Sequence, residues 1–313
     1  MGCIKKNKGS ALLSALFIMT LVAIAATAMS LRLQLDIYRT RLIISSDKLY
    51  LASQAVTFWA MDKLEGRNIS LKTIGEGGKL MNFPSALENH YPEIVTKGDL
   101  YDMQALFNLN NLSDKKFQLF FMNILENSLP KLSASEGEEL VNAITYWVSP
   151  YQPNHGQDHP LDYYLKQKPP YLPGYQLMQS PSELRLIKNV DASLYQTLLP
   201  FITVLPELTP ININTASHLI LKSLGNGLNE TQLNELLQVR GQGGFRELNA
   251  ITPLLQKLNI PADQITLEST YYLSIALTSS DDLNLTTYTI LKRSKDKQGH
   301  ISIGIILESI NTL

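Results

Sequence analysis

The chain has 313 residues, 44% of them hydrophobic and 18% charged, with a formal net charge of −1 at pH 7. That is room for one large or two medium domains. The composition excludes a collagen-like chain, a disordered tail, a disulfide-dense miniprotein and a strongly basic nucleic-acid binder. The average conceals an uneven distribution, because Ser10 to Leu31 holds no charged residue at all. This block matches the ~20 residues that a helix needs to cross ~30 Å of hydrocarbon. Lys5, Lys6 and Lys8 precede it. Under the positive-inside rule they hold the amino terminus in the cytoplasm and place everything after Arg32 on the far side.

The helical pattern continues past the apolar block. Leu31, Leu35, Tyr38, Leu42, Ser45, Leu49, Ala52, Val56 and Trp59 follow a 4-3 spacing, with no Gly or Pro before Gly66. This predicts a seam for packing against other helices. A helix from about Leu12 to Leu64 is roughly 80 Å long at 1.5 Å per residue, too long to be buried in one small domain. A cleaved secretory signal predicts a shorter apolar core ending in small residues, and Ala26-Thr27-Ala28 is a site of that kind. The uninterrupted helical continuation argues against it.

Gly66, Gly75, Gly77, Gly78 and Pro84 mark the loop that ends the long helix. Leu87 to Gln104 reads as one strand or two, clearest at Leu100 to Met103. Near the carboxy terminus, Ser269 to Thr278, Leu283 to Arg293 and Ile301 to Leu307 read as an antiparallel meander. Helix starts fill the segment between. Ser133 with Glu136, Ser180-Pro181 with Glu183, and Asn229 with Gln232 are capping boxes, and Thr252-Pro253 reads as a further N-cap. The fold class is therefore α+β: a long N-terminal transmembrane helix and an antiparallel sheet, interrupted by a large all-α insertion from about Phe107 to Ile260.

These residues carry a resemblance. Lys5-Lys6-Asn7-Lys8-Gly9 before Ser10-Ala11-Leu12-Leu13 resembles a class III prepilin leader, which implies cleavage between Gly9 and Ser10 by a prepilin peptidase. Pilins of this kind carry Glu at the fifth mature position, where this chain has Ser14. A lone carboxylate in hydrocarbon costs several kcal/mol unless paired, so only a subunit with nothing stacked beyond it can dispense with the Glu. Further along, Phe107-Asn-Leu-Asn-Asn-Leu112, Pro169-Pro170-Tyr171, Ser182-Glu183-Leu184-Arg185, Ile211-Asn-Ile-Asn-Thr-Ala216 and Arg240-Gly-Gln-Gly-Gly-Phe245 resemble, in order, the protein K family of type II secretion systems. The resemblance implies a pilin-like fold with SAM-like, helix-hairpin-helix-like inserted domains. The implied divisions are a leader (1–9), a transmembrane helix (10–31) and the periplasmic part of that helix (32–66). After them come the first part of the α/β domain (67–106), two SAM-like domains (107–206 and 207–262) and carboxy-terminal strands (263–313). It further implies a minor pseudopilin at the pseudopilus tip, in the inner membrane with its bulk in the periplasm. Its partners would be proteins I and J of the same system, the major pseudopilin and the peptidase.

Three local features invite chemistry. Leu224-Gly225-Asn226-Gly227-Leu228 with Arg240 to Phe245 looks like a helix-hairpin-helix, the basis of an alternative reading as a membrane-anchored DNA-binding protein of a competence-type pilus. Phosphate contacts need a positive excess. Here Lys222, Arg240, Arg246 and Lys257 are matched by Glu207, Glu230, Glu235 and Glu247, so no nucleic-acid partner is expected. The resemblance also implies Ca²⁺ in the inserted domain, but of the acidic set only Asp158 and Asp162 remain. Two acids plus carbonyls make a weak site for an ion that takes six to eight oxygens. His155 and His159 fall beside Gly156 and Pro160, which predicts a loop rather than one helical face. Cys3, the one cysteine, lies in the leader, and no catalytic or phosphate-binding motif is present. No enzyme is expected. The aromatic stretch from Tyr146 to Tyr175 reads as a loop packed by its own rings or as a docking surface.

Overall fold

The structure is a computed structural model that describes residues 10–66, 78–151, 158–241, 243–280 and 283–312, with the side chains of all but residues 10, 158 and 159. The leader, with Gly9, and most of the glycine-rich loop lie outside the described residues. From Ser10 to Glu65 the chain forms one helix of 56 residues, α1. Leu and Ala are its commonest residues and no Gly or Pro interrupts it, so nothing stops propagation before Gly66. The far end is capped from a distance. Arg293 Nε donates to the Leu64 carbonyl at 2.9 Å, placing a cation on an orphan acceptor at the negative end of the helix dipole.

Two strands follow, β1 (Lys79–Asn82) and β2 (Val95–Asp102). The chain then enters the inserted segment, with β3 (Phe107–Asn108), α2 (Gln118–Ser128), α3 (Ala134–Val148), α4 (Asp158–Leu165), α5 (Ala192–Leu198) and β4 (Ile202–Thr203). The second half of the insertion holds β5 (Ile211–Asn212), α6 (His218–Lys222), α7 (Glu230–Arg240), α8 (Leu248–Lys257) and β6 (Ile265–Thr266). The chain returns through β7 (Tyr271–Ser280), β8 (Leu283–Lys295) and β9 (Ile301–Ile310). The antiparallel sheet has the order β1-β2-β7-β8-β9, so its strands come from both sides of the insertion. The expected meander is present. β1 is not in the sequence reading, since its four residues fall inside the predicted loop.

The structure departs from the sequence expectation in three places. The insertion is not all-α, because β3 pairs with β4 and β5 with β6 as parallel two-residue ladders. Thr252-Pro253 does not start a helix; α8 begins at Leu248 with Pro253 inside it. The Thr252 hydroxyl bonds back to the Leu248 carbonyl at 3.1 Å, and packing of Ile251 and Leu255 into the core holds the helix through the proline. His159 is not in a loop, since α4 starts at Asp158. Pro160 sits in the first turn of α4, where no helical hydrogen bond is lost. The three predicted capping boxes, at Ser133, Ser180 and Asn229, all form. Both halves of the insertion share one hydrophobic core, from Phe107 and Phe121 in the first to Ile213, Leu236 and Leu255 in the second.

The carboxy-terminal part of α1 lies close on one face of the sheet. Leu49, Ala52, Val56, Ala60 and Leu64 are buried there. Small residues face them across the contact. The Thr287 and Ser53 hydroxyls lie 3.0 Å apart, those of Thr57 and Thr289 3.3 Å apart, and Thr278 Oγ1 donates to the Leu49 carbonyl at 3.2 Å. Gly98 on β2 is tightest. A Cβ there would collide with Val56 and come within 2.8 Å of the Ile275 carbonyl oxygen. We expect Gly98→Ala to cost about 1–3 kcal/mol by overpacking, measured by urea unfolding of the chain in detergent. Val56→Ala added to it should recover part of that loss.

Candidate functional site

The seam expected on α1 is divided between two environments. Leu31, Leu35 and Tyr38 are exposed and Leu42 is half-buried, leaving that stretch open to partners. Leu49 and Val56 are instead buried by the chain's own sheet, and Trp59 packs edge-on against Phe83 at 5.6 Å. Trp59 is half-buried, and Leu49 and Val56 are not available to another helix, because the 4-3 pattern marks an apolar face without saying which molecule covers it. The structure exposes a different stripe alongside. Ile37 (46% exposed), Ile44 (49%), Leu51 (61%) and Phe58 (64%) recur every seven residues on the side of α1 turned away from the sheet. Large apolar side chains left in water at a constant heptad position are the signature of an unpaired helix–helix contact. Ser14 lies in the apolar half of α1, where the side chains are exposed throughout.

The insertion is held by two asparagine clasps built alike. In the first half Asn110 Nδ2 donates to the Met178 and Leu205 carbonyls at 3.0 and 2.8 Å while its Oδ1 accepts from the Met178 amide at 2.8 Å. In the second half Asn214 Nδ2 donates to the Phe245 and Leu267 carbonyls at 3.0 and 3.1 Å while its Oδ1 accepts from the Phe245 amide at 2.7 Å. Each clasp stands two residues after another buried asparagine, Asn108 or Asn212, whose Oδ1 accepts from its backbone N–H. Each half also closes on an Ile-Thr pair, Ile202-Thr203 or Ile265-Thr266. Phe107-Asn-Leu-Asn and Ile211-Asn-Ile-Asn are thus one structural word used twice. The sequence reading had both words but not their equivalence.

The two halves meet the sheet at Asp102, the last residue of β2. Its buried carboxylate accepts from Thr215 Oγ1 (2.6 Å), Ser269 Oγ (2.7 Å), Gln104 N (2.8 Å) and Asn212 Nδ2 (3.0 Å). Burial pushes its carboxyl above the usual carboxylate range, and the four donors work against that shift. A second tie is more exposed. Glu207, between the two halves, accepts from Lys292 Nζ at 2.8 Å and from the Tyr271 hydroxyl at 2.5 Å, and these bonds hold its carboxyl below the usual range.

α6 and α7 are two helices joined by a turn that holds Gly225 (φ +59°) and Gly227 (φ +83°). The turn is occupied from inside the protein: Asn123 of α2 donates Nδ2 to the carbonyls of Ser223 (3.0 Å) and Gly225 (3.3 Å). Lys222 and Lys257 pair with Glu230 and Glu235, and Arg240 donates to the Ile213 and Ala216 carbonyls. The DNA-binding alternative finds no support here. Asp158 and Asp162 lie one turn apart on α4, Asp162 is exposed, and no group of three or more His, Cys, Asp or Glu side chains gathers among the described residues. The Asp158 side chain lies outside the described residues, and Ca²⁺ needs a cage of oxygens. His155 lies outside the described residues. The aromatic stretch packs on itself: Tyr146 and Tyr175 share a 2.8 Å hydroxyl contact, and Tyr164 is surrounded by the rings of Tyr146, Trp147, Tyr163 and Tyr171. Burial in that cluster pushes the Tyr164 hydroxyl up to about 12.

The insertion is also where known proteins match. Two family models, both described as type II secretion system (T2SS), protein K, match residues 105–207 and 211–269, together just over half of the chain. The chain belongs to the type II secretion system protein K family. A protein K of Aeromonas hydrophila is 25% identical over 94% of this chain and 95% of its own length. Those of Pseudomonas aeruginosa (29% identical, 62% of this chain) and Klebsiella pneumoniae (33%, 54% of this chain) are matched over 60% and 57% of their lengths. The fold is similar to that of a chain in the crystal structure of the GspK-GspI-GspJ complex from the enterotoxigenic Escherichia coli type 2 secretion system. That match has a TM-score of 0.69 and 21% identity, and covers 88% of this chain and all of the other. Among the described residues one helix, α1, is long and apolar enough to cross a membrane, and its apolar half is the membrane anchor.

Two measurements test the ties. Asn214→Ala strands three backbone groups of Phe245 and Leu267 at once and should cost about 2–4 kcal/mol, whereas Asn229→Ala removes only a helix cap and should cost about 1 kcal/mol. For Asp102, the folded state holds a proton more tightly than the unfolded state. Its contribution to stability therefore falls as pH rises through the interval between the ordinary and the raised value. Urea unfolding over a pH series should show the stability of wild type relative to Asp102→Asn declining as pH rises; a difference that grows with pH contradicts the raised carboxyl.

Proposed function

We propose that this chain is a minor pseudopilin that caps the tip of a type II secretion pseudopilus and helps initiate its assembly for protein export across the outer membrane. The observation that carries the reading is the pair of open apolar surfaces on α1, the stretch from Leu31 to Leu42 and the stripe from Ile37 to Phe58. A helix that leaves so much apolar surface unpaired above its membrane span needs other helices to cover it. Proteins I and J of the same system are the proposed neighbours, in keeping with the GspK-GspI-GspJ complex whose fold match was described above, with the major pseudopilin below them.

Prepilin peptidase would cut between Gly9 and Ser10 on the cytoplasmic side of the inner membrane, leaving α1 attached and the bulk periplasmic. Gly suits the cut, since a missing Cβ lets the backbone enter a protease cleft. Ser14 in place of a carboxylate leaves nothing in the membrane to receive a further subunit, consistent with a terminal position. The two clasped halves of the insertion, about 107–206 and 207–262, would be SAM-like modules that enlarge the head until no subunit can stack on it. The role is mechanical rather than catalytic.

The double variant Ile44→Lys with Leu51→Lys should reduce co-purification with proteins I and J by about tenfold or more, because both side chains are exposed and the fold does not depend on them. Leu49→Lys should instead destabilise the chain itself. If the double variant co-purifies normally, the stripe is not the assembly surface. Gly9→Val should leave an unprocessed precursor, and amino-terminal sequencing of the membrane-extracted wild type should begin at Ser10.

A further inference from the structure

The two edges of the sheet are finished differently. β1 is four residues long, has a shifted register, and carries Lys79 in an ion pair with Asp99 at 2.8 Å. Short length, irregularity and lysine are the usual protections of an edge strand. β9 has little of this. Its ten residues, Ile-Ser-Ile-Gly-Ile-Ile-Leu-Glu-Ser-Ile, include neither Lys nor Pro, and Ile305, Ile306, Leu307 and Ile310 are exposed. Among the described residues no strand pairs with its outer side.

One irregularity is present in β9, and it aims a side chain. Ile305 pairs with Leu291 and Leu307 with Ile290, so Ile306 is an extra residue, a β-bulge. Residues two apart on a regular strand share a face. The bulge breaks that rule: Ile305 stays on the α1 side with Leu291, while Leu307 turns to the opposite side with Ile290. On that side lies a groove of about 630 Å³ between the sheet and the insertion. Ile275, Ile290 and Leu307 form its floor, and Tyr195, Leu199 and Pro200 form its roof. Leu307, Glu308 and Ser309 of β9 are themselves part of its lining, so the groove and the free strand edge form one continuous surface.

Charge narrows what fits. Asp102 and Glu308 are the acidic residues of the lining, and it contains no Lys, Arg or His. Asp102 has four hydrogen-bond donors, and Glu308 accepts from the Tyr50 hydroxyl (2.6 Å) and from Gln54 Nε2 (3.0 Å) on α1. Neither carboxylate calls for a cation from outside. A volume of this size matches a few aliphatic side chains.

We infer that β9 is a receptor for strand addition. An extended, uncharged segment of a different polypeptide, with aliphatic side chains at alternate positions, pairs its backbone with the outer edge of β9 and seats every second side chain in the groove beside Leu307. Backbone hydrogen bonds would supply affinity and the groove selectivity, the usual division in β-augmentation. This site lies on the sheet edge, away from the exposed stripe of α1, and does not depend on the secretion reading.

The test uses the full chain in detergent and a fluorescent decapeptide of alternating Val and Thr, together with a twin N-methylated on the amides of one edge. Wild type should bind the decapeptide with a saturable anisotropy change and bind the twin at least about tenfold more weakly. Ile306→Lys, a charge at the exposed bulge, and Leu307→Glu, a charge in the groove, should each lower affinity by a similar factor while circular dichroism stays unchanged. Should Leu307→Glu unfold the chain, Ile306→Lys and the methylated twin still decide. Failure of wild type to bind up to about 1 mM, or equal binding of the twin, overturns the inference. Self-association of wild type that Ile306→Lys abolishes also overturns it, because a second copy would then be the occupant.

Discussion

The whole extramembrane structure rests on how closely α1 approaches the sheet. A helix carrying bulky residues on this face would stand off and leave the sheet without one side of its core. Ala52, Ser53, Val56, Thr57 and Ala60 instead meet Gly98, Ser274, Ala276, Thr278, Thr287 and Thr289. Small groups let the backbones come near, and the hydroxyls of Ser53 and Thr287, of Thr57 and Thr289, and of Thr278 with the Leu49 carbonyl find partners there, which offsets the cost of burying them; the Ser274 hydroxyl is buried without one. The same helix is the membrane anchor, so a packing error here would separate the head from its attachment and not merely loosen a core.

The insertion depends on that arrangement and is joined to it at few places. Asp102 ends β2, the strand whose Gly98 faces Val56, and begins the departure from the sheet. Its carboxylate then gathers Asn212, Thr215 and Ser269, from the start of the second half and from the return to β7. One acidic residue therefore ties together the exit from the sheet and the way back. Buried charge is costly, and four donors are what make it tolerable. Within the insertion the two clasps do the equivalent work with neutral amides. Asparagine suits this because one side chain offers a donor pair and an acceptor together, and can stand in for a strand across a gap in the backbone.

Much of this was legible in the sequence, for identifiable reasons. An uncharged block followed by residues free of Gly and Pro could only be a long helix, and the capping boxes at Ser133, Ser180 and Asn229 announced their helices because their chemistry is local. The carboxy-terminal strands showed their alternation. What was hidden depended on distant partners. Leu49 and Val56 were read as a seam between molecules because spacing reveals an apolar face and not its neighbour. The stripe through Ile37 and Phe58 went unseen because a second apolar line on a helix already apolar blurs the periodicity. Thr252-Pro253 has the local pattern of a helix start, and it is the core contacts of Ile251 and Leu255, which no local rule includes, that carry α8 through it. The asparagine words stood in plain view, but a hydrogen bond from Asn110 to Leu205, or from Asn214 to Leu267, has no trace in local pattern.

The unbroken course of α1 also makes it a ruler. Between Leu31, where the uncharged block ends, and Leu49, the first residue buried by the sheet, the helix has no hinge and rises roughly 27 Å at 1.5 Å per residue. The head is therefore carried at a set height above the bilayer and in a set direction. Adding or removing one residue in this stretch would turn the sheet by about 100° relative to the membrane-embedded half. Only changes close to whole turns would keep the two in phase, so the residue count of this segment is itself a structural quantity.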